Sequence, residues 1–144
     1  MIRLSIALLL GLSSAAAMAQ MTPVGLWKQY DDKDGKEKSE MRIIETAGVI
    51  SGKIEKRLDP AAKPDDKCTE CSDDRKNKPI VGLEIIRGAK KVDGKDVWES
   101  GKILDPGAGK EYTLRLTPIE GGKKLEVRGS IFGIGRTQTW TRIQ

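Results

Sequence analysis

A chain of 144 residues without a histidine, carrying 26 Lys and Arg against 21 Asp and Glu for a net charge of +5, excludes several functions at once. Ser-His-Asp triads, Cys-His dyads and every histidine-ligated metal site are impossible, so any proton transfer would fall to Asp, Glu, Lys, Tyr or Cys. Charges of both signs are interspersed, as in Lys53-Ile54-Glu55-Lys56-Arg57, which describes a solvated outer face rather than a stripe that binds nucleic acid.

The chain opens with Arg3, an apolar run from Leu4 to Leu12, and a small-residue segment ending in Ala17-Met18-Ala19. This order is that of a secretory signal peptide over residues 1–19, cleaved near Ala19. The apolar run is too short to span a bilayer, which takes about 20 residues, and no later stretch approaches that length. No cysteine follows the apolar run to carry a lipid. The expectation is a bacterial periplasmic or secreted protein whose single domain is residues 20–144.

Beyond the leader the apolar residues alternate with polar ones. Met41 and Ile43 flank Arg42; Ile50, Gly52 and Ile54 share a face; Tyr112, Leu114 and Leu116 alternate with Thr113, Arg115 and Thr117; Leu125 and Val127 flank Glu126. Period 2 is the signature of a strand with one buried face. Turn chemistry supplies the boundaries: Asp31–Lys36 with Gly35, Ala47-Gly48, Asp93-Gly94 as a type I′ hairpin signal, Asp105-Pro106-Gly107-Ala108-Gly109, and Gly121-Gly122. Strands are therefore predicted at 24–30, 39–46, 49–57, 82–87, 96–104, 111–118, 123–130 and 135–143. One connection breaks the rhythm. The polar stretch from Asp59 to Pro79 holds both cysteines and is too long for a hairpin turn, so it carries local structure or crosses one end of the sheet.

Strands linked by hairpins form a meander, and closing the meander removes its two bare edges. The predicted fold is all-β: an eight-stranded antiparallel up-and-down barrel with one long Cys-containing loop. Trp27 on the first strand and Arg142 on the last can close one end by stacking, with Trp140 on the same face as Arg142.

Few residues carry chemistry. Cys68-x-x-Cys71 has three readings: a disulfide pinning the long loop, a redox pair, or half of a zinc site. The carboxylates around it disfavour a thiolate, and no further Cys or His completes a metal site. Asp32-x-Asp34-Gly35 matches a calcium loop only in fragment, because Tyr30 and Met41 occupy ligand positions. Arg128 could hold an anionic group, and Trp98 and Tyr112 could line a pocket, against a structural reading of each as end-closing or core.

Taken in order, Pro23-Val24-Gly25-Leu26-Trp27, Cys68-Thr69-Glu70-Cys71, Pro79-Ile80-Val81-Gly82-Leu83, Gly101-Lys102-Ile103-Leu104-Asp105-Pro106, Val127-Arg128-Gly129 and Gly135-Arg136-Thr137-Gln138-Thr139-Trp140-Thr141-Arg142 form a recognisable series. The chain resembles the exported bacterial proteins grouped as domain of unknown function 2147 (DUF2147), over essentially its whole length after the leader. The resemblance implies a lipocalin-like (calycin-like) barrel and an exported location. It carries over no catalytic residue and no cofactor. The Gly-x-Trp and the terminal Arg are also similar to the broader lipocalin signature.

Three functions remain open to the sequence. A non-enzymatic barrel would bind a small, partly apolar or amphipathic molecule, one with an anionic end included, through apolar burial plus one or two orienting polar groups. An envelope scaffold would meet a protein partner through the 59–79 loop or the Arg87–Lys95 segment. A thiol/disulfide enzyme would work through Cys68 and Cys71. No cofactor, metal, nucleic acid or membrane span is expected.

Overall fold

The computed structural model describes residues 20–144. The signal-peptide reading of residues 1–19 lies outside the described residues. Eight strands follow one another: β1 Gly25–Tyr30, β2 Glu37–Thr46, β3 Val49–Arg57, β4 Glu84–Lys91, β5 Trp98–Asp105, β6 Lys110–Ile119, β7 Lys124–Ile131 and β8 Ile134–Arg142. Each pairs antiparallel with the next, and β1 pairs with β8, so the sheet is a closed up-and-down barrel. The predicted fold class therefore holds. Closure pairs Trp27 with Arg142 and Lys28 with Thr141. It leaves no open edge.

Alternation decides which side chains enter the barrel. Trp27, Met41, Ile43, Ile50, Ile86, Leu114, Leu116, Leu125 and Trp140 are all buried and fill one half of the interior. Burying each side chain of this size contributes about 1.5–3 kcal/mol. This half lies toward the end where β1 begins and β8 ends. At the same end the chain turns through Ala47-Gly48, with φ of 51° and 79°, the left-handed pair that a two-residue I′ turn requires. The Asp93-Gly94 turn differs from expectation. Only Gly94 takes a positive φ, and Lys95 N–H donates to Val92 O at 3.2 Å, so this turn is not type I′. Strand β4 also runs four residues past its predicted end, to Lys91, because Gly88 at φ 79° takes up a register shift against β3.

The 58–83 connection contains no helix. Its centre is a small hairpin in which Cys68 N–H donates to Lys78 O at 2.8 Å and Asn77 N–H to Cys68 O at 2.9 Å. Cys68 and Cys71 are disulfide-bonded and buried, and the Cys68 sulfur lies 3.7 Å from Pro106 O in the β5–β6 turn. Gly109 in that turn, at φ 67°, faces the Glu70 carbonyl so closely that any Cβ would collide with it. Arg75, only 2% exposed, anchors the hairpin to the barrel wall. Its guanidinium contacts Asp73 Oδ2 at 2.5 Å and Glu111 Oε2 at 3.3 Å, and donates to Glu84 O at 2.9 Å. Among the described residues no helix is long and apolar enough to cross a membrane.

Candidate functional site

The half of the barrel left unfilled by the core is a cavity of about 1040 Å³. It opens at the end where β1 finishes, beneath the long loop and the β5–β6 and β7–β8 turns. Room exists there because small residues take inward positions. Gly129 is one: a Cβ on it would come within 3.2 Å of the Tyr112 Cβ.

The two sides of the cavity differ in chemistry. Ile54, Ile80, Ile85, Ile103, Leu104 and Val127, from β3, the long loop, β4, β5 and β7, make an apolar wall, with Tyr112 of β6 beside them. The facing wall is polar: its inner part is built on the uncharged Gln29 of β1, Ser39 of β2 and Gln138 of β8, with Lys38 and Arg136 of the same strands toward the mouth. Ser39 donates to Gln29 Oε1 at 2.6 Å, and Gln29 Nε2 donates to Gln138 Oε1 at 3.4 Å. Gln138 Oε1 also accepts from the buried Trp140 indole at 3.0 Å. Its amide nitrogen donates to both Asp32 oxygens at 2.9 Å. Gln138 is thus the hub that satisfies the indole N–H of the core and connects it to the rim.

The mouth carries charge in near balance. Carboxylates of Asp32, Asp59, Asp65, Asp66, Glu70 and Asp105 share it with the cations of Lys38, Arg57, Lys63, Lys67 and Arg136. Arg57 Nη1 lies 2.6 Å from Asp66 Oδ2, and Arg136 Nη1 lies 3.7 Å from Asp32 Oδ2. The Lys63 amide, which donates to Asp66 Oδ2 at 2.9 Å, and the Arg57 guanidinium hold the Asp66 carboxyl below its ordinary range.

The residues singled out from the sequence fall in different places. Tyr112 lines the cavity. Trp98 does not: it is buried outside the cavity lining, with Lys91 Nζ 5.8 Å from its ring centre. Arg128 does not line the cavity either. It lies between the inward Val127 and Gly129, so its side chain is on the outer surface, where it donates weakly to Gly133 O at 3.4 Å. An inward Arg128 reading fails because Val127 and Gly129 take the inward positions on either side of it. Trp27, Trp140 and Arg142 meet at the closed end. The Arg142 guanidinium carbon is 4.2 Å from the Trp27 ring centre. The Trp27 indole donates to Pro23 O at 2.8 Å.

Gln29, Ser39, Gln138 and Arg57 went unnoticed in the sequence. One signal was available: Gln138 shares the inward face with Trp140 by period 2, so a polar side chain was bound to lie inside. Among the described residues no group of three His, Cys, Asp or Glu is placed to hold a metal ion. The described residues also show no buried side-chain polar atom left without a partner.

No curated protein matches this sequence. Among solved structures it is similar to protein HP1028 of Helicobacter pylori, described as belonging to the lipocalin family. The TM-score is 0.71 at 21% identity, over 84% of this chain and 82% of that one. The likeness is one of fold: a lipocalin-like barrel. Residues 25–142 match the family described as uncharacterized proteins conserved in bacteria, and the chain therefore belongs to the DUF2147 family.

Proposed function

We propose that this is an exported, non-enzymatic binding protein whose cavity holds a small, partly apolar molecule bearing an uncharged hydrogen-bonding group. The observation that carries the reading is the two-sided cavity of about 1040 Å³. Its volume suits a ligand of drug or single-chain lipid size, since such pockets run from about 300 to 1,000 Å³. The apolar wall supplies affinity by burial, and the Gln29–Ser39–Gln138 wall supplies orientation. A neutral polar group is favoured over an anion because the inner polar wall offers amides and a hydroxyl, and the mouth balances its lysines and arginines with carboxylates. Export rests on the signal-like leader.

The scaffold alternative has less support. In the long loop Cys68, Cys71, Ile80 and Leu83 are buried and Leu58 is half-buried, leaving Val81 as the exposed large apolar side chain. Thiol chemistry has less still, because both sulfurs are buried in a bond to one another.

The test is titration with the neutral fluorophore Nile red, followed by displacement. Long-chain alcohols and amides should displace it more effectively than fatty acids of the same length. Native mass spectrometry of protein recovered from its own envelope should show a co-purifying mass. Absence of both dye binding and a bound mass would end the reading.

A further inference from the structure

The β7–β8 hairpin ends in a feature that neither the barrel nor its cavity explains. Ile131 pairs with Ile134 across a two-residue turn made by Phe132 and Gly133. Phe132 is 100% exposed, Ile134 is 82% exposed and Ile131 is 43% exposed. Phe132 also has φ 51° and Gly133 φ 78°. The first position of such a turn favours Asn, Asp or Gly, and a bulky side chain held in the left-handed region is strained. The strain comes with no packing in return, since the ring touches nothing in the fold.

Two arginines flank the tip. Arg128, on the outer face of β7, reaches the Gly133 carbonyl at 3.4 Å. Arg136, two residues past Ile134, is highly exposed on the cavity side, and its nearest carboxylate is Asp32 at 3.7 Å. Three apolar side chains on one turn offer a few hundred Å². A stable protein interface takes about 800 Å² from each partner. Shallow insertion at a bilayer surface, in contrast, needs only a few apolar side chains backed by basic ones.

We propose that the Ile131–Ile134 tip docks on an anionic lipid bilayer, with Phe132 and its two isoleucine neighbours entering the headgroup–acyl boundary and Arg128 and Arg136 meeting lipid phosphates. Ile134 belongs both to the tip and to the cavity lining, so docking brings the β7–β8 side of the cavity mouth to the lipid surface. The inference goes beyond the cavity reading, and either can fail alone, because docking is measured with no ligand present.

The experiment is co-sedimentation of the protein, residues 20–144, with vesicles of phosphatidylglycerol and phosphatidylethanolamine in equal parts, compared with phosphatidylcholine vesicles. The wild-type protein is expected to bind the anionic vesicles. Phe132→Asn should weaken binding at least about tenfold, the effect of losing one buried aromatic side chain. Asn accepts a positive φ, so this variant should unfold at the same or a higher temperature than wild type, which separates lost docking from lost fold. Replacing Arg128 and Arg136 together by Gln should cost about fivefold per arginine and remove the preference for anionic lipid. Wild-type protein that stays in the supernatant, or Phe132→Asn that binds as wild type does, overturns the proposal. So does self-association of the wild type, abolished by Phe132→Asn, in the absence of vesicle binding.

Discussion

The Arg142 guanidinium stacks over Trp27, 4.2 Å from the ring centre, while donating to the carbonyls of Thr22 at 2.6 Å, Val24 at 2.8 Å and Gly122 at 2.6 Å. One side chain thereby ties together the segment before β1, the β6–β7 connection and β8. Burial pulls its pKa below the ordinary arginine value, yet arginine remains charged throughout the working range. Lysine at this position keeps the charge but cannot present a planar fork to separate carbonyls. Arg142→Lys should lower unfolding stability by about 2 kcal/mol and Arg142→Met by about 3 kcal/mol, measured by urea denaturation. Equal stability of all three proteins would show that the fork contributes nothing.

Gln138→Leu should separate stability from selectivity. The substitution strips the buried Trp140 indole of its acceptor. An unpaired buried donor costs about 1–3 kcal/mol, so the urea midpoint should fall accordingly. The cavity wall becomes more apolar, and long-chain alkanes should gain on the corresponding alcohols in competition for Nile red. An unchanged alcohol preference would remove the amide wall from the account of recognition.

Arg75→Met should loosen the long loop with a smaller effect on the barrel. The methionine stem fills much of the same space, but the contacts to Asp73, Glu84 and Glu111 disappear. Asp73 and Glu111 are solvent-accessible enough to rehydrate, so the expected cost is about 2 kcal/mol rather than that of a stranded buried charge. Limited proteolysis should cut the variant first within residues 58–83, at protease levels that leave the native protein whole. Cleavage distributed over the strands would contradict this.

The pH response follows from three depressed carboxyls in the same loop. The Lys63 amide and Arg57 lower Asp66; the Arg75 side chain and its amide lower Asp73; Arg87 lowers Asp74. A carboxyl depressed by folding contributes stability that is fully present above its unfolded pKa, near 4, and is lost as pH falls through its folded value. With no histidine to titrate, unfolding stability should stay flat from about pH 8 to about pH 5 and fall only below about pH 4. Denaturation midpoints across that range provide the check. A step near pH 6 would mean that some other group is coupled to folding.

Much of the fold was legible because its signals are local. Alternation in Tyr112–Leu116 and turn residues such as Ala47-Gly48 fix strands and reversals without knowledge of the rest of the chain. The seam was legible for a different reason: Trp27 and Arg142 are distinctive residues at matching positions of the first and last strands. The cavity was not legible. Its size depends on which inward positions oppose one another across strands, and Gly129 opposite Tyr112 matters only once the register is known. The same glycine ends the apolar alternation of β7, which kept a cavity-facing reading of Arg128 open. Arg75 went unseen because its partner Glu111 lies far from it in sequence, and Phe132 because a bulky aromatic is a poor turn signal.

The seam also constrains how the chain acquires its shape. Arg142 grips Val24, 118 positions earlier in sequence, and β1 gains its second neighbour only when β8 joins the ring. Contacts of such separation form late and slowly. Until β8 arrives, β1 and β7 present bare edges to any passing strand, so the danger of mispairing is concentrated in the interval before the ring is joined.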